Sequence, residues 1–414
     1  MDPAWIEWIN VLFRFVHVLA AIMWIGNSLL FTWMELNLIK PEEEKDKDPD
    51  LLGQLDMLHG GGVFHLEKRL MHAEAIPERL HWFKWQSYTT WMTGFLLLVA
   101  LFYSNGSSLL DATKSQLTPS AAVGLSVAGI IGGWLLYDAV WRSPLKKMPL
   151  IGITISLMLL FTAAAFYGTI FNGRALYLQI GAMMGTYMSA NVFFHIMGNQ
   201  HKFMGALRAG QAHDLELGKR AKMRSLHNHY MTFPVLFLML SAHFPRLHAA
   251  EWNVPILVVV VLTLMGVKHL MNSRYHFKPW LACIFGSVVV AGGLIGLFLH
   301  LPEARATTDS NPLMDPAITA GKKVFETKGC AACHMQGSSQ LAPSLHGIYG
   351  TTQEMADSSK ISVDDAYLRT SILEPQAQIV KGFAPAMPPF KGLLSEEELD
   401  QLITYLKWIG KPAK

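Results

Sequence analysis

The first 300 residues of the chain alternate long apolar stretches with polar loops. A helix needs about 20 apolar residues to cross a bilayer, and eight stretches approach or exceed that length. They lie near residues 9–34, 86–104, 120–141, 149–171, 174–198, 230–246, 253–272 and 279–300. This pattern predicts an all-α bundle of eight transmembrane helices in residues 1–300.

The pattern changes after residue 300. Residues 301–312 are polar and contain prolines, which is typical of a linker, and residues 313–414 have the composition of a water-exposed domain. One apolar stripe with helical spacing closes the chain, formed by Leu399, Leu402, Ile403, Leu406 and Ile409. It predicts an amphipathic terminal helix.

Composition agrees with a protein that lies in a lipid bilayer. Apolar residues make up 51% of the chain and charged residues 16%, whereas soluble domains carry about a quarter of charged residues. The formal net charge of +3 gives no indication of nucleic acid binding.

The sequence Cys330-Ala331-Ala332-Cys333-His334 carries the most specific chemistry. C-x-x-C-H is the attachment signature of a c-type haem, with two thioethers to the porphyrin and the histidine as axial ligand. A dithiol pair or half a zinc site is the rival interpretation. The histidine follows directly and the chain has no second cysteine pair, so the pattern favours one covalent haem c with iron bound by His334.

A six-coordinate haem c takes a second axial ligand, and methionine is a common choice. Met387 lies in a loop with Pro385 before it and Pro388 after it, which suits a loop that holds a thioether against iron. Met335 follows His334 directly and cannot reach the opposite haem face, which leaves Met314 and Met355 as competitors. Met387 is therefore predicted as the second iron ligand.

Residues 313–412 together resemble a class I cytochrome c. Pro343, in Leu341-Ala342-Pro343-Ser344-Leu345, suits the loop on the histidine side of the haem. We expect its carbonyl to hold the second ring nitrogen of His334, since metal-binding histidines commonly donate that nitrogen to an oxygen.

The basic residues predict the orientation. Lys and Arg are concentrated in the loops on one side of the predicted spans, and the opposite loops contain only Lys114, Arg174 and Arg246. The positive-inside rule then places both termini outside. Haem c is attached on the outer side in bacteria, so both arguments predict a multi-pass protein of the bacterial inner membrane with a periplasmic cytochrome domain.

Histidines inside the predicted spans raise the question of a second haem. With this topology His17 and His243 lie near the outer face, and paired histidines from different helices are a common way to hold haem b. Arg14, almost one turn from His17, would suit a haem propionate. The alternative is that these histidines only form interhelical hydrogen bonds, and both interpretations stay open.

The loop at residues 35–85 is long for a simple connection. Its second half contains His59-Gly60-Gly61-Gly62-Val63-Phe64-His65. Consecutive glycines allow the backbone to approach a ligand or a helix closely, so this segment is a weak functional candidate.

Several stretches together resemble one family, the membrane-bound, cytochrome c-fused urate oxidase or urate hydroxylase of bacterial purine catabolism. They are residues 15–19, 24–26, 59–62, 80–85, 190–194, 199–200 and 227–234. The resemblance covers nearly the whole chain. It implies oxidation of urate to 5-hydroxyisourate, with electrons leaving through haem c to a soluble cytochrome c or a terminal oxidase.

Urate oxidation also needs a proton acceptor, and neutral histidine is the natural choice near pH 7. The candidates at the inner side are His59, His65, His227 and His229, with Arg14 and His17 as an outer alternative. Two other functions compete with the enzyme. One is a membrane-anchored relay that carries electrons without oxidising a substrate, and the other is a haem-gated transporter or sensor.

Overall fold

The structure is a computed structural model that describes residues 3–40, 50–70, 76, 80–104, 106–111, 114–211, 215–301, 315–328, 330, 334, 342–383 and 387–410. Its first part is a helical bundle. The α-helices are α1 Pro3–Leu36, α2 Trp85–Leu98, α3 Pro119–Arg142, α4 Pro149–Gly168, α5 Gly173–Ala190, α6 Gly198–Arg208, α7 Leu215–Leu240, α8 Pro245–His248, α9 Asn253–Ser273 and α10 Trp280–His300. Residues Val99–Tyr103 and Asn191–Met197 form π-helices.

Local sequence explains where these helices begin. Thr118 caps α3 by accepting a hydrogen bond from the Ala121 amide, and Pro119 fills the first turn. Asn172 caps α5 in the same way, accepting from the Ala175 amide at 3.0 Å. Such caps satisfy amide groups that a helix start leaves unpaired.

Five helices in the described part of the chain are long and apolar enough to cross a membrane. They cover residues Trp8–Leu36, Pro119–Arg142, Pro149–Gly168, Asn253–Ser273 and Trp280–His300. These helices indicate a membrane protein, but the predicted count of eight is not met on this criterion.

The three remaining predicted spans all fall on helices of a different character. Helix α2 changes into a π-helix after 14 residues. Helix α5 does so at Asn191, and α7 has a polar first half with Pro234 further along. The apolar runs were therefore recognised, but polar side chains and helix irregularities divide three of them.

Helix α5 lies at the centre of the bundle, in contact with α2, α3, α4 and α7. Leu176, Tyr177 and Ile180 on this helix are completely buried. Helix α3 comes close to its neighbours because it has glycines at the crossings. A side chain at Gly133 would meet Met183 and the Tyr187 hydroxyl, and one at Gly129 would meet the Tyr167 hydroxyl.

The loop at residues 35–85 contains an antiparallel hairpin. Residues 1–300 are therefore not all helical, in contrast to the all-α prediction. Strand β1 Leu51–His59 pairs with β2 Gly62–Arg69. Gly60 and Gly61 have φ of 59° and 81°, which a two-residue hairpin turn requires and glycine adopts without strain. The glycines therefore form a turn, and none of the described residues lies within 4 Å of where their β-carbons would stand.

The cytochrome domain has its own core. Its elements are α11 Pro316–Thr327, β3 Thr352–Glu354, β4 Lys360–Ser362, α12 Asp365–Leu373 and α13 Glu396–Ile409. Strands β3 and β4 pair antiparallel. Leu399 and Leu402 on α13 are buried, as the apolar stripe predicted. Ser395 and Glu398 form a capping box at the start of α13.

Helices α11 and α13 cross at Gly321, which has no room for a side chain. A β-carbon there would collide with the Gln401 carbonyl and the Tyr405 side chain. Phe325 packs one turn away against Tyr405, with ring centroids 5.4 Å apart. This crossing fixes the two helices that frame the domain.

We predict that Gly321→Ala destabilises the cytochrome domain by about 1–3 kcal/mol, since an added methyl group must push the helices apart. Denaturant unfolding of the full chain, followed by haem absorption, measures this. Thr319→Ala on the exposed side of the same helix is the control and should leave the midpoint unchanged. Equal midpoints for both variants would show that the crossing tolerates a side chain.

Candidate functional site

His334 in the cytochrome domain makes the hydrogen bond that was expected from the sequence. Its Nδ1 lies 2.9 Å from the Pro343 carbonyl. A carbonyl only accepts, so Nδ1 carries the proton and Nε2 is left with a lone pair. Burial lowers the pKa of His334 and favours the neutral form that binds iron. The hydrogen bond expected from the sequence is thus present.

The other predicted haem groups are described in part. Cys330 lies against the apolar core of the cytochrome domain, whereas Cys333 lies outside the described residues. Met387 also packs against that core. Met355 is 2% exposed and bridges to Val380, and Met314 and Met335 lie outside the described residues. The residues fit a covalently held haem c, and Met387 stays the predicted second ligand.

Helix α7 brings together polar groups of the membrane domain on two faces. One face contacts α3 and the α5 region, by which we mean α5 and the π-helix Asn191–Met197 that follows it. The other face contacts α1 and α9. The predicted catalytic residues His227 and His229 lie on this helix. We call the first set the Arg224 cluster. It consists of Tyr137, Asp138, Asn191, His195, Arg224, His227 and Asn228.

Asp138 is the centre of charge in the Arg224 cluster. One of its oxygens accepts from Arg224 Nη2 at 2.7 Å and from His195 Nε2 at 2.6 Å. Its second oxygen pairs with Arg142 Nε at 2.6 Å. The Arg224 side chain is 3% exposed and that of Arg142 is 65% exposed. The buried carboxylate is therefore neutralised from inside the bundle and from its surface.

Asn191 connects this ion pair to the rest of the cluster. It is completely buried, and its carbonyl oxygen accepts from Arg224 Nη1 at 3.1 Å. Its amide nitrogen lies 3.1 Å from the Tyr137 hydroxyl and 2.9 Å from Asn228 Oδ1. These groups satisfy one another, which is what a polar network inside an apolar bundle requires.

Tyr137 extends the network to His227. Its hydroxyl lies 2.7 Å from His227 Nδ1, and the ring of His227 lies 4.1 Å from the ring of Trp141. The hydroxyl already accepts from Asn191, so it can donate to His227. A phenol and an imidazole at this distance can exchange a proton.

The second face of α7 forms what we call the His229 seam, between α1, α7 and α9. His229 Nε2 lies 2.8 Å from Asn272 Oδ1 on α9. Its Nδ1 lies 3.5 Å from Ser28 Oγ and 3.4 Å from Thr32 Oγ1 on α1. Lys268 lies on the same side of α9 and is 2% exposed.

His59 and His65 are positioned differently from the histidines of α7. Both lie on the β1–β2 hairpin and are exposed. His65 Nδ1 lies 2.7 Å from Asp56, and hydrogen bonds with Asp56 and Glu67 raise its pKa. The described contacts of His65 thus belong to the hairpin. A catalytic role for these two residues stays a prediction.

The outer residues predicted for haem b have contacts of their own. His17 Nδ1 lies 2.9 Å from the Thr90 carbonyl and 3.1 Å from Thr93 Oγ1 on α2. Arg14 donates to Asn10 at 2.8 Å, and His243 is exposed in the short turn after α7. The contacts of His17 match an interhelical hydrogen bond and also leave Nε2 available. Haem b stays a prediction.

Asp138, Arg224 and Lys268 were not recognised from the sequence. The sequence predicts Arg224 to lie in a basic loop, because the sixth apolar stretch begins after it. Asp138 and Lys268 lie within apolar stretches, and a charge there is a functional candidate by default. That signal was available for both residues.

Comparisons with known proteins match both parts of the chain. The family described as Urate oxidase N-terminal matches residues 3–297, and the family described as Cytochrome c matches residues 318–410. No curated protein matches the chain. The second match supports the haem c interpretation of the C-terminal part.

We predict that Met387→Ala keeps the covalent haem but loses the absorption band of methionine bound to ferric iron. Optical spectra of the oxidised protein measure this. Met355→Leu is the control and should keep the band, since Met355 lies in the core. A band that persists in Met387→Ala would reject Met387 as the ligand.

The two arginines that share Asp138 allow a matched stability test. Arg224→Met should destabilise the bundle by about 3–5 kcal/mol, because it leaves a buried carboxylate with a weaker set of partners. Arg142→Met should cost at most about 1 kcal/mol, since that arginine is exposed. Thermal unfolding in detergent, followed by tryptophan fluorescence, compares them. Equal losses would contradict the central role of the buried pair.

Proposed function

The chain belongs to the urate oxidase N-terminal family, and we propose that it oxidises urate to 5-hydroxyisourate and passes the electrons through haem c to the respiratory chain. The observation that carries this proposal is the fusion of that domain with a cytochrome c domain in one chain. An oxidoreductase that carries its own one-electron carrier has no need of oxygen as direct acceptor.

The proposed reaction balances with water as the source of oxygen. Urate and water give 5-hydroxyisourate, two protons and two electrons. Haem c, when bound, takes one electron at a time, so each urate requires two successive transfers and an acceptor such as a soluble cytochrome c or a terminal oxidase. The protein itself must bind a planar anion, orient it, and accept the protons.

Residues of α7 are suited to these tasks. His227 accepts from Tyr137, and His229 lies between α1 and α9. We propose His229 as a direct proton acceptor, and His227 as one that takes up a proton through the Tyr137 hydroxyl that donates to its Nδ1. Trp141, whose ring lies 4.1 Å from that of His227 and is tilted by 56° against it, adds an aromatic group beside this histidine.

We propose eight spans in a bacterial inner membrane, with both termini and the cytochrome domain on the periplasmic side. The five apolar helices support a membrane location, and the three further helices coincide with the remaining predicted spans. At the proposed inner end, Glu35 of α1 pairs with Lys222 of α7 and Lys68 of the hairpin, at 2.9 and 3.0 Å. These contacts join segments that the basic loops assign to one side.

We predict that urate reduces haem c of the purified full chain without oxygen, with two chains reduced for each urate consumed. Anaerobic titration followed at the haem c absorption band measures this. A pyridine haemochrome assay on the same sample gives the ratio of haem b to haem c. Prompt reduction by a quinol without reduction by urate would instead support an electron relay.

A further inference from the structure

Lys268 is a buried residue that has no carboxylate partner among the residues that the structure describes. Lys268 is 2% exposed and lies within the apolar helix α9. In the part of the chain that the structure describes, no carboxylate pairs with Lys268 and no hydrogen bond satisfies it. Its ammonium lies 4.8 Å from the centre of the Phe233 ring. A buried charge is costly unless another group compensates it.

The residues around Lys268 form a compact set on three helices. Lys268 and Asn272 are four residues apart on α9, and His229 and Phe233 are four apart on α7, so each pair shares one helix face. The two faces meet through the Asn272–His229 hydrogen bond and the Lys268–Phe233 contact. A cation, an amide, an imidazole and an aromatic ring thus line one seam.

His229 has a weakly engaged lone pair on this seam. Its Nε2 donates to Asn272 Oδ1 at 2.8 Å, so Nδ1 is the acceptor nitrogen. The Thr32 hydroxyl donates to the Ser28 carbonyl at 2.9 Å and cannot also donate to His229. The Ser28 hydroxyl is 3.5 Å away, beyond the usual distance of such a bond. Nδ1 can therefore accept a hydrogen bond from a ligand.

The Arg224 cluster differs in this respect. Arg224 donates to Asp138 and Asn191, and Asn191 and Asn228 bond to each other. These groups are committed to the protein. The contrast distinguishes a cluster that holds the helices together from a seam that has a charge left to neutralise.

We propose that the His229 seam binds the purine anion, with Lys268 neutralising its charge and His229 Nδ1 accepting one of its N–H groups. This inference rests on the proposed function and names the binding site for it. A purine anion presents negative oxygen and nitrogen atoms beside N–H donors, and Phe233 adds an aromatic ring beside the ammonium. Lys268 is thus a binding residue.

Equilibrium binding of labelled urate to the purified full chain, with its haem reduced beforehand and held without oxygen so that no urate is oxidised, tests the site. Lys268→Met should weaken binding by about tenfold to a hundredfold, because it removes a charged hydrogen bond. Lys268→Arg should retain most of the affinity. Lys147→Met is the matched control, since Lys147 is exposed at the proposed inner end and loses the same charge.

Thermal unfolding without urate checks the fold of each variant. Lys268→Met should be at least as stable as the parent, since methionine is easier to bury than an ammonium. Oxidised portions of the same preparations then report haem c reduction by urate, which separates this inference from the proposed function. Binding that depends on Lys268 without any haem reduction would support the site and contradict the proposed function.

Two results would overturn the site. One is a Lys268→Met variant that binds urate as tightly as the parent does. If the parent also reduces its haem with urate, this result would leave the proposed function intact. The other is a parent chain that does not bind urate at all.

Discussion

Polar groups inside an apolar bundle have to be satisfied by one another, because lipid offers no hydrogen bonds. Helix α7 carries Arg224, Asn228 and His229 into such an interior. The structure meets this constraint on one face through Asp138 and Asn191, which bind Arg224 from two other helices. The positions of α3 and the α5 region relative to α7 depend on these contacts.

On the other face of α7, one polar group is left without a partner among the described residues, and this group is the basis of the proposed binding site. His229 is held by Asn272, but Lys268 has no partner charge among the described residues. A charge that the fold leaves uncompensated is one that a ligand can compensate. The hydrogen bonds of the Arg224 cluster would then hold α7 in place beside the seam between α1, α7 and α9.

Features encoded in short stretches could be predicted from the sequence, and features that depend on distant pairings could not. The C-x-x-C-H motif, Pro343 and the stripe on α13 led to the cytochrome domain, and all five apolar helices were recognised. Asp138 and Arg224 are 86 positions apart, so no local pattern connects them. The triple glycine was ambiguous for another reason: a hairpin turn and a ligand-binding loop need the same backbone freedom.

The source of the oxygen atom in the product tests the central claim most directly. The purified chain would be given urate in ¹⁸O-labelled water, without oxygen and with a soluble cytochrome c as acceptor, and the product would be analysed at once by mass spectrometry. The proposed reaction predicts 5-hydroxyisourate that carries one labelled oxygen, together with reduced acceptor. Product that forms only when oxygen is admitted, and without the label, would contradict an oxidation that uses water and delivers its electrons through haem c.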